Sequence, residues 1–248
     1  MIYIGALPLL ADSASILRLM VSDIKTLFDA GAHFALPRAR RHPSAAPFLF
    51  GTKDRTDIFN LEETERRLEA ARAFVRSLAG KHMLFVGGKN EVAEIIKSVA
   101  LAVGAPYVAG RWIGGTLTNF KNIRKRIDRL QKLMGERERG ELEKYTKRER
   151  LLIDREIDEL LARFGGLVSM IELPSALFAV DTRHEHTAIR EANQLGIPVV
   201  GLSSSDCDFS LVRYPIPAND TSVRSVGLVC EAIKEAYLEG KKVAVPTT

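Results

Sequence analysis

The sequence predicts an α/β fold, in which a mostly parallel sheet has helices on both faces and carries an inserted antiparallel coiled-coil hairpin. Short apolar runs alternate with stretches of helical periodicity, which is typical of a parallel sheet that is covered on both sides. One long stretch in the middle of the chain carries two narrow apolar stripes instead. The 248 residues are 46% hydrophobic and 27% charged, a composition that excludes wholesale disorder.

The first half of the predicted sheet domain contains one strand–turn–helix unit. Asn60 is placed to cap a helix over residues 61–79, where apolar residues recur at helical spacing. An apolar run over 83–86 predicts a strand, which a Gly87-Gly88 turn joins to a helix over 90–103. This order is half of a βαβ unit.

The second half repeats the alternation. Apolar runs predict strands over 176–180 and 197–202, separated by a helix over 185–195. A brief extended piece over 214–217 precedes a closing helix over 220–238. The two halves together therefore predict one parallel sheet.

The intervening stretch predicts two long helices joined by a polar turn that contains Gly135 and Gly140. Their apolar positions step by three and four residues, and most other positions are charged. The two apolar seams are Leu117, Phe120, Ile123, Ile127, Leu130 and Met134, and Leu142, Ile153, Ile157, Leu160 and Phe164.

These patterns divide the chain into four parts. Residues 21–115 and 166–240 form the α/β domain, and residues 116–165 form a hairpin that is expected to protrude from it. Residues 1–20 are interpreted as an N-terminal extension and residues 241–248 as a C-terminal tail.

Nothing in the sequence predicts a membrane or redox role. No apolar run reaches the length of about 18 residues that a spanning helix needs. No positive charge precedes Arg18, which argues against a secretory signal, and the two cysteines, Cys207 and Cys230, are interpreted as ordinary thiols of a reducing compartment. We therefore expect a cytoplasmic protein, with an organellar one as the alternative.

A glycine-rich turn at residues 87–89 is the candidate phosphate site. Backbone N–H groups at such a turn can hold a phosphate, and Lys89 would add charge. The turn lacks the order of a P-loop, and the glycine-rich segment 110–115 lacks the order of a dinucleotide-binding motif. A nucleotide- or sugar-phosphate-binding enzyme or sensor is thus the alternative function, and a plain tight turn is the preferred interpretation.

A weak candidate for a structural divalent ion lies at the carboxyl ends of the later strands. Asp181, His184 and Asp206 are the ligands it would use, since carboxylate and imidazole suit several metals. The alternative is that Asp181 caps a helix and the histidines contact partners. No nucleophile is convincing, because Ser203–Ser205 and Cys207 lack the motifs that activate such groups.

Positive charge concentrates in two places although the formal net charge is only +5. An irregular basic loop over 38–55 holds five basic residues against Asp54, and residues 121–132 hold six against Asp128. Clustered cations attract phosphates, and planar Arg and Trp side chains stack on unpaired bases. The alternatives are a solvated charged face or a protein-binding scaffold. The predicted RNA-binding residues are Arg38, Arg40, Arg41, Arg111, Trp112, Thr116, Asn119, Lys121, Lys125 and Arg126.

Several long motifs resemble those of the bacterial small-subunit ribosomal protein S2 family. They are GRWIGGTLTNF at 110–120, LPSALFAVD at 173–181, HEHTAIREAN at 184–193, LGIPV at 195–199 and IPANDTSVR at 216–224. The resemblance runs from about residue 21 to residue 240, nearly the whole chain.

This resemblance implies a Rossmann-like sheet domain with a protruding coiled-coil hairpin and a structural, non-catalytic role on the small ribosomal subunit. It also implies binding to small-subunit ribosomal RNA where head and body meet, and docking of neighbouring ribosomal proteins, among them ribosomal protein S1. Arg111, Trp112, Thr116 and Asn119 fall in the family's RNA-proximal signature. No cofactor, small-molecule substrate or membrane partner is expected.

The chain departs from the family pattern near its N-terminus. The family usually reads Gly-Val-His-Phe-Gly-His before a basic loop with Trp-Asn-Pro, whereas here Ala35-Leu36 replaces the second Gly-His pair and Trp-Asn is absent. We expect altered local RNA geometry there, with the basic charge retained.

Overall fold

Eight strands form two sheets in the computed structural model, which describes residues 24–244. The strands are β1 (Phe34–Pro37), β2 (Leu49–Lys53), β3 (Thr56–Phe59), β4 (Met83–Val86), β5 (Tyr107–Val108), β6 (Ala176–Val180), β7 (Val199–Ser203) and β8 (Tyr214–Pro217). The helices are α1 (Ile24–Asp29), α2 (Leu61–Ser77), α3 (Asn90–Val103), α4 (Phe120–Glu138), α5 (Lys147–Phe164), α6 (His186–Gln194) and α7 (Val223–Ala244). The predicted extension over residues 1–20 lies outside the described residues.

The larger sheet has five strands in the order β5-β4-β6-β7-β8, and every neighbouring pair is parallel. All residues of β4, β6 and β7 are buried, as expected for strands that are covered on both faces. Met83 and Phe85 face an apolar cluster shared with α2, α3 and α7. Leu84 and Val86 face a second cluster, shared with α6 and with α4 and α5. The predicted parallel α/β fold is confirmed.

Local chemistry fixes the helices that the sequence predicts in the first half. The Asn60 side chain accepts a 3.0 Å hydrogen bond from the Glu62 backbone N–H and so caps α2. The helix α3 ends at Gly104, which adopts a φ of 65° that a side chain disfavours. The closing helix α7 is longer than predicted and continues to Ala244, into residues assigned to the tail.

The basic segment over 38–55 is more ordered than the sequence predicts. The strands β1, β3 and β2 form a three-stranded antiparallel sheet, and 3-10 turns occupy Arg38–Arg40 and Pro43–Phe48. Asp54 and Arg55 make the two-residue turn between β2 and β3, with φ angles of 49° and 64°. Two-residue hairpin turns usually contain Asn-Gly or Asp-Gly, and those pairs are how such turns are predicted from sequence. Because this turn has Asp-Arg instead, the sequence does not predict the hairpin.

The helices α4 and α5 pack against one another and run in opposite directions. Arg124 near the start of α4 donates a 3.1 Å hydrogen bond to the Met170 carbonyl, which lies beyond the end of α5, whereas Arg129 further along α4 pairs with Glu156 within α5 at 3.1 Å. An advance along α4 therefore meets earlier residues of the second half of the hairpin. Thr146 and Glu149 form a reciprocal capping box at the start of α5. The buried seam of Ile127, Leu130, Ile157 and Leu160 is continuous with the apolar layer beneath the sheet. Coiled-coil packing and the limits of the hairpin as a separate part stay predictions.

Among residues 24–244, none of the helices combines the length and the apolar character that crossing a bilayer requires.

Candidate nucleic-acid interface and strand-end site

Charged side chains meet at the carboxyl ends of the parallel strands. Lys89 follows β4, Asp181 follows β6, and Asp220 lies beyond β8. The Lys89 ammonium pairs with the Asp181 carboxylate and lies 3.4 Å from that of Asp220. Both carboxylates are buried. The lysine that would hold a phosphate in the alternative function is therefore neutralised by two acids of the same chain.

The pKa values of Lys89 and Asp220 are both raised, for different reasons. Burial lowers the pKa of Lys89, but the hydrogen bonds and charges of Asp181 and Asp220 outweigh it, so the Lys89 pKa is raised. Burial, with the Asp181 charge adding to it, raises the pKa of Asp220 to about 6, and Lys89 opposes the shift only in part. One Asp220 oxygen, Oδ1, is buried without a hydrogen-bond partner among the described residues.

The backbone of the Gly87-Gly88 turn is also engaged by a side chain of the same chain. The Gly88 backbone N–H donates a 2.9 Å hydrogen bond to the Glu185 carboxylate, which also accepts a contact of 2.7 Å from His184 Nδ1. A Cβ at Gly88 would lie 2.7 Å from the Gly110 carbonyl oxygen, so glycine is required by close packing. A buried carboxylate thus sits on the N–H group that a phosphate would need, which favours the tight-turn interpretation.

The candidate ligands of the divalent ion border one cavity of about 550 Å³ but are already engaged. Asp206 pairs with Arg183 at 2.6 Å and with Arg40 at 4.0 Å. Asp181 accepts backbone hydrogen bonds from Arg183 and His184 in the turn before α6, whose N-cap residue is Glu185, so Asp181 does not cap the helix as the alternative predicted. Within residues 24–244 no group of three or more His, Cys, Asp or Glu side chains is arranged to hold a metal. Asp181 and Asp206 thus already pair with cations of the same chain, and the metal site stays a prediction.

The potential nucleophiles are built into the interior. Burial raises the pKa of the Cys207 thiol to about 12. The Ser203 hydroxyl bonds to that of Thr182 at 2.8 Å, and the Ser205 hydroxyl accepts from the Leu36 backbone N–H at 3.1 Å. These groups hold β1 and the strand ends together and are poorly placed to attack a substrate.

The glycine-rich loop over 110–119 is anchored by Glu191, a residue that the sequence analysis missed. Its Oε1 accepts hydrogen bonds from the Trp112 indole and the Gly115 backbone, and its Oε2 accepts from the backbone of Leu117 and from the backbone and hydroxyl of Thr118. Glu191 is only 7% exposed. Burial raises its pKa, but these donors outweigh the effect and lower it overall. One carboxylate therefore fixes the loop in shape before any partner binds.

Within that loop the predicted RNA-binding residues separate into two groups. Arg111 and Asn119 are exposed, and Trp112 is half-buried. Thr116 is 1% exposed, and its hydroxyl donates to the Ile113 carbonyl at 2.6 Å. Thr116 therefore supports the loop from inside and does not belong to its surface.

On α4 the structure separates paired from unpaired cations. Arg124 pairs with Asp128, Arg129 with Glu156 and Lys132 with Glu136. Lys121, Lys125 and Arg126 are exposed, and no carboxylate of the described chain pairs with them. The three residues of α4 that are predicted to bind RNA are thus exposed and, within the described chain, unpaired, as is Arg137 near the end of the same helix.

The basic residues of the small sheet are arranged less uniformly. Arg38 is exposed and, as far as residues 24–244 show, unpaired. Arg40 faces Asp206, and the Arg41 guanidinium lies 3.8 Å from the buried Asp57 carboxylate. The charge of Arg41 is therefore partly balanced by a buried acid. Leu36, which replaces the histidine of the family pattern, borders the strand-end cavity.

The arrangement defines a structural α/β protein: the charged groups of its strand-end site pair with one another, and unpaired cations lie on a helix and on a preformed loop. A comparison of the sequence with known families agrees with this class. The chain belongs to the family of ribosomal protein S2, whose profile matches residues 27–240. Members of this family are structural and non-enzymatic.

Named relatives show the same membership. The chain is 43% identical over 224 residues to the small ribosomal subunit protein uS2 of Coprothermobacter proteolyticus, covering 90% of this chain and 84% of the relative. It is 41% identical over 220 residues to the protein of that name from Roseiflexus sp., covering 88% and 84%. The Nitratiruptor sp. protein of that name is 39% identical over 221 residues, covering 88% and 83%.

Proposed function

We propose that this chain is a structural constituent of the small ribosomal subunit and binds small-subunit ribosomal RNA through α4 and the loop over 110–119. The names of its relatives support the first part. The second part is carried by one observation: Lys121, Lys125 and Arg126 form an exposed group of cations without carboxylate partners in the described chain. Unpaired cations are free to replace the counterions of RNA phosphates.

The loop over 110–119 supplies side chains that can recognise RNA bases as well as phosphates. Arg111 and Asn119 are exposed beside the start of α4, and Trp112 is held by Glu191. Phosphate contacts position a protein on RNA, whereas stacking and hydrogen bonds to bases give selectivity. Arg38, and more weakly Arg40 and Arg41, extend the same basic surface on the small sheet, since the last two also face acids.

The finer placement follows from the family resemblance. We propose that the protein lies where the head and body of the subunit meet, in the cytoplasmic ribosome, and helps to dock neighbouring ribosomal proteins, ribosomal protein S1 among them. Leu151 and Leu152, exposed on the outer side of α5, supply apolar surface for such protein contacts.

The experiment that tests RNA binding compares two double variants of the full chain. Lys125→Ala with Arg126→Ala removes two unpaired cations of α4. Arg129→Ala with Lys132→Ala removes the same charge from the same helix, but both of these cations already pair with glutamates. Affinity for purified small-subunit ribosomal RNA is measured by filter binding across a series of salt concentrations.

We expect the first variant to bind more weakly and to lower the slope of log affinity against log salt by about one unit for each lost phosphate contact. The matched control should change the slope less. Equal slopes for both variants and the wild type would remove α4 from the proposed surface, and a wild-type protein that fails to bind this RNA would refute the proposal.

A further inference from the structure

A cavity of about 350 Å³ opens beside the anchored loop, at the base of the helical hairpin. Its lining residues are Arg111, Trp112, Ile113, Gly114 and Arg163. None of them is acidic, and the volume falls at the lower end of the range of about 300–1,000 Å³ typical of small-ligand sites. The cavity therefore combines two guanidinium groups with one aromatic ring, the apolar side chain of Ile113 and the bare backbone of Gly114.

The aromatic wall of this cavity is held in place. Trp112 packs against the apolar cluster beneath the sheet and donates its indole N–H to Glu191 at 3.1 Å. The ring thus cannot turn without breaking that hydrogen bond. A fixed indole presents a flat surface on which a base can stack with little loss of side-chain entropy.

The two arginines stand at the rim. Arg111 is exposed and has no carboxylate partner in the part of the chain that the structure describes, whereas Arg163, in the last turn of α5, pairs with Glu159 one helical turn away. Both arginines also border an adjoining cavity of about 420 Å³, whose lining adds Lys97 and its ion-pair partner Glu94. The two arginines therefore face both cavities, where a phosphate backbone could pass from one to the other.

We propose that this cavity receives a single unpaired nucleotide of the bound RNA, with its base against Trp112 and its phosphate between Arg111 and Arg163. The inference rests on the proposed RNA binding and deepens it by assigning Arg163, which no sequence motif singles out. An unpaired nucleotide is required because bases within an A-form helix do not expose their faces, whereas those in loops and bulges can be splayed out.

The test uses the intrinsic fluorescence of the full chain, which contains one tryptophan. Every change in indole emission therefore reports on Trp112. The protein is titrated with purified small-subunit ribosomal RNA, with a twelve-residue oligouridylate and with an RNA duplex of that length, while filter binding measures total affinity independently. We expect saturable quenching by the first two probes and no quenching by the duplex.

Arg163→Ala is the deciding variant, and Arg155→Ala is its matched control. Both remove one exposed cation from α5, but only Arg163 borders the cavity. We expect Arg163→Ala to abolish most of the quenching and to weaken binding of the ribosomal RNA by about fivefold or more. The Arg155→Ala variant should quench as the wild type does. Arg111→Ala provides a second variant if Arg163→Ala does not fold, as judged by circular dichroism.

The outcomes separate the two proposals. If ribosomal RNA binds but leaves the emission of Trp112 unchanged, and both cavity arginines can be removed without loss of affinity, the nucleotide pocket is wrong and RNA binding through α4 stands. Quenching of Trp112 emission by a purified ribosomal protein, and not by RNA, would also overturn the proposed nucleotide pocket. If the wild-type chain does not bind ribosomal RNA at all, both proposals fail.

Discussion

The Trp112 indole N–H donates a 3.1 Å hydrogen bond to the Glu191 carboxylate, a residue 79 positions further along the chain. The same carboxylate accepts from three backbone N–H groups of the glycine-rich loop. The negative charge of Glu191 on α6 therefore attracts the N–H groups of the loop, and its two oxygens fix where those groups lie. This contact explains how a segment rich in glycine, which is costly to order, presents its arginine and tryptophan in a single arrangement.

Replacement of this carboxylate should loosen the loop without removing the fold. Glu191→Gln keeps the shape of the side chain but turns its amide N–H groups toward backbone N–H groups, so donors are left without acceptors. We expect the free energy of unfolding to fall by about 1–3 kcal/mol. Denaturant unfolding measures this loss, and a shift of Trp112 emission in the native state measures the local change.

A control for this change is Glu94→Gln, which neutralises an exposed glutamate that has only a 3.9 Å contact with Lys97. Its effect should stay within about 0.5 kcal/mol, as for most surface substitutions. Equal effects of the two variants, with unchanged emission in both, would show that Glu191 does not anchor the loop.

Glycine at position 88 is required by packing. An added Cβ there would lie 2.7 Å from the Gly110 carbonyl oxygen and 2.8 Å from the Glu185 carboxylate. We expect Gly88→Ala to reduce stability by about 1–3 kcal/mol, because backbone on one side cannot move freely. Thermal or denaturant unfolding of the purified chain provides the measurement.

The partner residue Gly110 offers the matched control. A Cβ at Gly110 would meet no atom within 4 Å, and its φ angle is not in the left-handed region. Gly110→Ala should therefore be tolerated. A Gly88→Ala protein as stable as Gly110→Ala would contradict the close approach of the two turns.

Strand and helix positions were predictable because their physical causes are local. The apolar run over 83–86, the Asn60 cap and the three-four spacing of α4 are each signals formed by residues that are only a few positions apart in the sequence. The small sheet was missed because the second residue of its turn, where glycine is usual, is Arg55 in a left-handed conformation.

The candidate site was predictable only in part for the same reason. The exposed basic residues of α4 were found from charge density, since a helix sorts its own sequence into faces. Glu191 was missed because it lies among ordinary polar residues of a helix, and its donors come from a distant loop. The pairing of Lys89 with Asp181 and Asp220 was likewise invisible, because it depends on which strand ends the topology brings together. Hydrophobic periodicity carries no signal for such long-range ion pairs.

The two cysteines should be unreactive in the folded protein. Burial raises the pKa values of both Cys207 and Cys230 to about 12, and the thiolate is the reactive form. We expect almost no alkylation by iodoacetamide at pH 8 in native buffer and modification of both thiols in denaturant. Rapid native labelling of Cys207 would show that the strand-end region opens and would revive a chemical role for that thiol.

Asp220 should impose a pH dependence of unusual sign. Its pKa is raised from 3.8 to about 6 in the folded protein. The folded state therefore binds more protons than the unfolded state between these values, so stability falls as pH rises from about 4 to about 6 and then levels off. A shift of this size corresponds to roughly 2–3 kcal/mol between the two ends of the window.

Asp220→Asn isolates this effect, because asparagine cannot ionise. The free energy of unfolding of the variant, relative to that of the wild type, should rise by roughly 2–3 kcal/mol between pH 4 and pH 7. Urea unfolding at half-unit pH steps gives the difference, in which the titrations of all other groups largely cancel. A flat difference for Asp220→Asn would mean that Lys89 keeps this carboxylate ionised throughout the window, and that the strand-end site is a fully charged ion-pair group.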